Sequence, residues 1–289
     1  MKQLLLALVT LGVTSLSYAQ ETIIIPDTLD NEWATTWVLG LNASQSTFNN
    51  WAAGGQNNVS TTVFTRVNGA YRQGKFTYGY VFNVRYGITN IEGEESRKTA
   101  DRLAIKHRAA YILNDENTMN AFAQISFTTQ FYDGYDYSTE PRTRISDFMA
   151  PGYFSESIGY AYTPADYVSF EAGLALKQTI VNDEAIVQAK GYGVAPGDNV
   201  FSEGGLQLAV NFSKEILKNV NYTSSLETFN NVNKSLASTD VAWANEITGK
   251  INDYLTASFQ LEMIYDDDVV ADELQTRQIL AAGLLVNLR

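Results

Sequence analysis

The chain has 289 residues, no cysteine and a formal net charge of −12. The absence of cysteine excludes disulfides and thiol chemistry, and the acidic balance argues against a nucleic-acid binder, which needs a basic face. After the first 19 residues the longest uninterrupted apolar run is 279–286. A membrane-spanning helix needs roughly 20 such residues, so a helical membrane protein is excluded as well.

The N-terminus has the pattern of a secretory signal peptide. Lys2 gives a positive start, residues 4–16 are largely apolar, and the Ser-Tyr-Ala sequence at 17–19 is a small-x-small cleavage site. We therefore predict that residues 1–19 are removed during export to the periplasm.

The rest of the chain reads as about twelve short amphipathic segments whose connections alternate in length. The short connections lie near 72–75, 114–118, 163–166, 213–219 and 251–253, and the long ones cover 46–58, 89–98, 134–152, 179–203, 230–240 and 266–274. Tight turns on one side and large loops on the other are the plan of an outer-membrane β-barrel. Helix signals are weak, and 213–218 is predicted to form one turn at most.

Within the segments, apolar and polar residues alternate with the period of a β-strand. In 76–87 the even positions are apolar or aromatic, while Thr77, Asn83 and Arg85 occupy the odd ones. Outward-phase aromatic residues fall near the segment ends, where a barrel meets the two membrane interfaces. The predicted fold is all-β: a single antiparallel transmembrane β-barrel of about 12 strands, with short periplasmic turns and long extracellular loops. The predicted organisation is a signal peptide at 1–19, a periplasmic lead-in at 20–34 and an outer-membrane barrel at 35–289.

Three stretches carry a family resemblance. They are Asn50-Trp51-Ala52-Ala53-Gly54-Gly55, Arg97-Lys98-Thr99-Ala100-Asp101 and Ile145-Ser146-Asp147-Phe148-Met149-Ala150-Pro151-Gly152-Tyr153. Through them the chain resembles an uncharacterised Bacteroidota outer-membrane barrel family labelled domain of unknown function 3078. The resemblance implies an outer-membrane barrel and no established activity, so no catalytic residue is carried over. The chain ends on Arg289 and not on the aromatic residue common in such barrels, which leaves a longer natural C-terminus open.

The inward phase concentrates charge on two groups of strands. The predicted positive wall of the lumen is Arg66, Arg85, Arg102, Lys106 and Arg108, and the predicted negative wall is Glu171, Glu227, Glu246 and Glu262. In a closed ring these groups lie on roughly opposite sides. One interpretation is a structural ion network, because buried charges must pair or stay hydrated. The other is a hydrated pore whose transverse field orients a small polar or zwitterionic solute.

The long loops supply candidate binding residues. Trp51, Gly54 and Gly55 could form a binding anchor or a lid, and Tyr135 and Tyr137 lie in an aromatic–acidic segment of the kind that binds carbohydrate. Interface aromatics that pass into an acidic loop explain the tyrosines equally well.

His107 and the aspartates at 266–268 are the remaining candidates for catalysis and metal binding, and the sequence favours neither role. His107, the single histidine, faces outward as in a phospholipase, but no serine or acid is aimed at it. The aspartates at 266–268 could bind Ca²⁺, but three consecutive side chains of an extended segment do not converge. No catalytic residue, metal or cofactor is therefore predicted.

The predicted function is a narrow channel or uptake pore for small polar solutes in the cell outer membrane. The alternative is a closed barrel that acts as a scaffold for a partner or a surface ligand, and a phospholipase-like enzyme comes third. The predicted partners are outer-membrane lipid, the barrel-assembly machinery and a small polar solute, with no nucleic acid; the oligomeric state is left open.

Overall fold

The computed structural model describes residues 23, 25, 29–48, 56–269 and 273–288. The predicted signal peptide and the loop candidates Trp51, Gly54 and Gly55 lie outside these residues. Within them, no helix is long and apolar enough to cross a membrane.

Twelve long strands form a closed antiparallel barrel. They are β1 (Glu32–Ser46), β2 (Asn58–Gln73), β3 (Phe76–Ile91), β4 (Arg97–Ile112), β5 (Met119–Thr129), β8 (Gly152–Ala165), β9 (Val168–Ile180), β10 (Val200–Leu217), β11 (Val220–Asn231), β12 (Asp240–Lys250), β13 (Leu255–Tyr265) and β14 (Leu274–Asn287). The strands neighbour one another in chain order, except that β5 pairs with β8, and the ring closes where Val286 of β14 pairs with Leu39 of β1. The predicted fold, a single antiparallel barrel of about twelve strands, is confirmed.

The short turns have suitable backbone chemistry. Gly74 between β2 and β3 and Asn219 between β10 and β11 both have positive φ, at 58° and 64°. Glycine and asparagine tolerate this conformation, which tight hairpins require. The predicted helical turn at 213–218 is wrong, because β10 continues to Leu217 and its ladder with β11 includes the pair Lys214 and Tyr222. Ladder pairing here overrides the local helix preference of Lys, Glu, Ile and Leu.

The long-loop side carries structure that the sequence pattern did not predict. A short helix, α1 (Glu184–Ala189), lies in the β9–β10 loop, where Asp183 caps it by accepting the backbone N–H of Ala185 and Ile186. The strands β6 (Gly134–Asp136) and β7 (Thr143–Ser146) form a hairpin in the β5–β8 loop. One connection departs from the alternation of lengths. The β3–β4 loop is only 92–96, no longer than the turn at 113–118, because both strands extend into the predicted loop.

The outer face of the barrel is apolar along the strands and aromatic at their ends. Leu174, Leu206 and Leu208 lie mid-strand and are each more than half exposed. Exposed aromatic residues mark the short-turn end at Trp33, Trp37, Phe76, Tyr111, Tyr160, Tyr162 and Tyr254, and the long-loop end at Phe131, Tyr132 and Phe148. A belt of apolar side chains between two aromatic rims is the surface of a transmembrane barrel.

Candidate functional site

The lumen contains a cavity that reaches both ends of the barrel. Its volume is about 1260 Å³. At the long-loop end it is lined by Ser44, Ser60 and Glu273, and at the short-turn end by Thr248 and Thr256. Most of its wall belongs to β13, β14, β1 and β2, and hydroxyl and amide side chains make much of it polar. The cavity wall can therefore form hydrogen bonds with water and with small polar solutes.

Two smaller cavities adjoin it. One, of about 490 Å³, lies between β1–β4 and β10–β13 and is also lined by Ile23 of the N-terminal segment. The other, of about 110 Å³, lies beneath the long loops between β4, β5 and β8–β13. Arg66 and Arg85 line the largest cavity and the 490 Å³ cavity, while Arg102 lines the 490 Å³ and 110 Å³ cavities. These arginines therefore lie where the three cavities meet.

The structure places the predicted positive residues on the inner surface. Arg66, Arg85, Arg102 and Lys106 line the cavities. Arg108 lies over the ring of Phe122, with 4.0 Å between its Cζ and the ring centroid, and its guanidinium lies 2.7 Å from a carboxylate oxygen of Glu171. The pair joins β4 to β9, with both side chains largely buried. Arg108 therefore serves as part of a structural ion pair, while the role of the other four in a conducting path stays a prediction.

The predicted negative residues also face inward, but each accepts a hydrogen bond from this chain. Glu171 accepts from Arg108, Glu227 from Gln207, Glu246 from Thr248 and Gln260, and Glu262 from Arg277. Hydrogen bonds within the lumen wall therefore stabilise the charge of these four carboxylates.

Sequence reasoning missed two inward cations among these acids. Lys177 on β9 forms an ion pair with Asp240, and Arg277 on β14 lies 2.9 Å from Glu262, its cross-strand neighbour. The alternation that located the other lumen residues extends to both positions and could have found them. With Lys177 and Arg277 on the acidic side, the two walls do not carry simply opposite charge, and the predicted transverse field is weakened there.

Three carboxylates converge near the long-loop rim, two of them from the aspartate run at 266–268 and the third from Asp240. Oxygen atoms of Asp240, Asp266 and Asp268 lie within 4.8 Å of one another, because the turn after β13 folds Asp268 back toward Asp266. Burial raises the pKa of Asp266, an effect that the charge of Lys177 opposes. Lys234 also bonds to Asp268 at 2.7 Å. The cluster is therefore balanced by two lysines of the chain.

Part of the barrel mouth is closed by an ordered cap, defined here as residues 181–199 with the segment 144–151. Its buried cluster comprises Ala150, Val181, Ile186, Val187, Tyr192 and Val194, with Phe201 and Val269 packed against it. The Tyr192 hydroxyl donates to the carbonyl of Ile145 at 2.7 Å, and burial raises the pKa of this phenol. Arg144 pairs with Asp183 and Asp147. The cap therefore joins the loops that follow β5, β9 and β13 at the long-loop end, and its Lys190 lines the largest cavity.

The second and third of the stretches that carry the family resemblance meet in one buried, hydrogen-bonded cluster. The Lys98 ammonium bonds to Asp101 at 2.9 Å, to Gln130 at 2.6 Å and to the carbonyl of Tyr132 at 2.6 Å. Ser146 donates to the same Gln130 side chain at 2.9 Å. These residues fasten the β5–β8 loop to the rim, which makes them structural residues of the barrel mouth.

The loop tyrosines contact cations of the same chain. The guanidinium of Arg142 lies 4.6 Å from the ring centroid of Tyr135, and that of Arg97 lies 5.0 Å from Tyr137. Cation–π contacts of this kind occupy ring faces on which a sugar would stack. Carbohydrate binding by these tyrosines stays a prediction.

His107 faces outward, as predicted, and its Nδ1 lies 2.7 Å from the Tyr78 hydroxyl. Among the described residues, no serine or threonine hydroxyl hydrogen-bonds to it. The nucleophile–base contact of a serine hydrolase is therefore missing from this part of the surface.

Comparisons with known proteins give both structural likeness and a family match. Similar solved structures include the COG4313 outer membrane channel from Pseudomonas putida F1 (10% identity, TM-score 0.43, covering 88% of this chain and 95% of that one). They also include the translocator domain of the autotransporter NalP from Neisseria meningitidis (9% identity, TM-score 0.38, covering 89% of this chain and 88% of that one). A third is the KdgM porin (10% identity, TM-score 0.30, covering 87% of this chain and 97% of that one). None is close enough to assign a function. No curated protein matches the chain.

Residues 43–135 match the family described as Protein of unknown function (DUF3078). This confirms the resemblance over that part of the chain, which contains the first two of the three stretches. The family description assigns no activity, so function has to be argued from the lumen.

Proposed function

We propose that this chain is an outer-membrane channel that admits small polar solutes. The cavity of about 1260 Å³ carries the proposal, because its lining extends from the long-loop rim to the short-turn end. Polar side chains along that lining replace part of a solute's hydration. The ion pair of Arg108 with Glu171 supports the lumen wall, and on the β13–β14 side the ion pair of Arg277 with Glu262 lies in a wall that leaves the large cavity open.

A second candidate is a closed barrel that displays its loops to a partner. Two observations favour it: the cap covers part of the mouth, and the Ile23 side chain approaches Gly79 inside the short-turn end of the lumen. Both features narrow the lumen but lie outside most of the largest cavity. The channel remains the better-supported function.

Solute entry into liposomes separates the two candidates. Proteoliposomes that contain the refolded protein should swell in a pentose, and more slowly in a disaccharide and a trisaccharide, because a narrow lumen discriminates by size. Protein-free liposomes and liposomes with heat-denatured protein are the controls. Swelling no faster than in the controls would leave the closed scaffold as the function.

The orientation in the outer membrane is tested by epitope insertion. We expect tags in the long-loop side, at Glu94 and at the exposed Leu236, to be reached by antibody on intact cells. Tags at Gly74 and Asp253 in the short turns should be reached only after the cells are broken. The opposite labelling pattern would reverse the proposed topology.

A further inference from the structure

Within the described residues, Arg85 differs from three other inward cations by having no carboxylate at ion-pair distance. Arg108, Lys177 and Arg277 each pair with an acid. Within the described ranges, no carboxylate lies at ion-pair distance from the Arg85 guanidinium. Arg277, Glu262, Arg102 and Arg66 are the charged groups that act most strongly on it, and three of these four are positive.

The backbone register forces two of these cations together. Arg85 on β3 and Arg102 on β4 are directly opposed partners in the ladder, and both face the lumen. Like charges opposed across neighbouring strands repel and destabilise the pair. A bound anion between them would turn this repulsion into attraction.

The formal charges around the cluster sum to a positive value. Charged side chains that line the 490 Å³ cavity are Arg66, Arg85, Arg102, Glu246 and Glu262, which sum to a formal charge of +1. Glu262 is further engaged by Arg277, and Glu246 accepts from Thr248 and Gln260. Counting Arg277, the region has four positive and two negative groups and is therefore a positive site on the lumen wall.

The position of the cluster matters as much as its charge. Arg66 and Arg85 lie at the junction of the two larger cavities, and Arg102 lies at the junction with the third. A solute that moves through the largest cavity passes Arg66 and Arg85. A site at this point can select what the channel conducts.

We propose that Arg66, Arg85 and Arg102 bind small oxyanions, such as carboxylates and phosphates, and make the channel anion-selective. The inference rests on the proposed channel function and adds a substrate class to it. A guanidinium presents two parallel N–H donors that match a carboxylate or phosphate edge. This solute class replaces the zwitterion expected from a transverse field, because the acidic side of the lumen contains its own cations.

The test is electrical and begins with the unmodified protein. Refolded barrels in planar bilayers under a KCl gradient should give a reversal potential that favours chloride over potassium. Citrate and pyrophosphate, added separately, should reduce the unitary current at concentrations at which glucose does not. Block by citrate alone identifies carboxylate solutes, block by pyrophosphate alone identifies phosphates, and block by both supports the shared oxyanion chemistry.

Matched variants then locate the site. Arg85→Gln should weaken the block about tenfold, because a charge-assisted hydrogen bond to the anion is lost. Arg85→Lys should keep most of the selectivity and lose part of the block, since it preserves charge but not the fork. Lys75→Gln removes one positive charge in an exposed short turn, away from the lumen, and should change neither. Heat-modifiable mobility on gels checks that each variant is folded.

The outcomes separate this inference from the proposed function. A conducting, cation-selective barrel that neither anion blocks would overturn the anion site and leave the channel intact. An absence of unitary currents would overturn the channel and, with it, the inference. A block that is unchanged in folded Arg85→Gln and Arg85→Lys would overturn the assignment to this cluster.

Discussion

The two halves of this lumen are closed to different degrees. Between β4, β5 and β8–β13, the cavity measures only about 110 Å³, and its lining includes the paired side chains Lys177 and Asp240 and the pair Gln207 and Glu227. Along β13, β14, β1 and β2, a cavity of about 1260 Å³ stays open. Strands with the same alternating pattern build both halves, so strand pattern alone does not decide where a path exists. The difference comes from the side chains that fill each half and from the loops above them.

Opening the cap should have the largest effect on this difference. Ile186→Asp places an unpaired carboxylate in the fully buried cluster, and such burial costs several kilocalories per mole. We expect the cap to detach while the barrel stays folded, with faster proteolysis within 181–199 and a larger unitary conductance. Ala185→Asp adds the same charge on the exposed side of α1 and should leave both unchanged. Equal conductance in the two variants would mean that the cap does not obstruct the capped half.

The ion pair between β4 and β9 should contribute strongly to the closed half. Arg108→Ala leaves the buried Glu171 carboxylate without its cation, which costs roughly 3–5 kcal/mol of unfolding free energy. The double variant Arg108→Ala/Glu171→Ala leaves no unpaired charge and should be more stable than the single one. Urea unfolding in lipid vesicles measures both; a double variant no more stable than the single one would show that the pair is not coupled.

Both halves depend on one wall with a lipid face and a lumen face. Leu208→Arg puts a cation on the lipid face at mid-strand and should destabilise folding by about 2–4 kcal/mol. The adjacent Gln207→Arg points into the lumen toward Glu227 and should cost less. Equal losses in vesicle unfolding would contradict the assignment of faces.

A smaller effect is expected where a lysine joins loops of the two halves. Burial alone would lower the pKa of Lys234, but the hydrogen bonds and charges of Asp268 and Glu203 outweigh it and raise the pKa. The resulting stability is therefore present below the unfolded lysine value, about 10.4, and is lost as pH rises through the folded pKa. Lys234→Met should be less stable than the wild type at pH 8, and the two should converge as the pH rises through the folded pKa. The same comparison with Lys75→Met, in an exposed turn, corrects for the general effect of pH, and a pH-independent difference would refute the linkage.

The barrel could be predicted from the sequence because each strand carries its own signal in a short stretch of residues. Alternation with period two identifies strands and faces, and it is sufficient to place Arg85 and Glu262 on the lumen surface. The cap could not be predicted in this way, because Ala150 packs with Val181 and Tyr192 only when two distant loops meet. The pairing of Glu262 with Arg277 likewise depends on register, which alternation does not specify.

The central claim, that the open half is a conducting path, is tested most directly by cysteine modification. The chain has no native cysteine, so a single introduced thiol reports one position. Ala281 lines the largest cavity, whereas Leu284 on the same strand does not line it and is 50% exposed on the lipid face. Reaction of Ala281→Cys with a charged, water-soluble methanethiosulfonate should lower the unitary current in a planar bilayer, and the same treatment of Leu284→Cys should not. An absence of unitary current, or a current that is unaffected when the thiol of the Ala281→Cys variant is fully modified, would contradict the account.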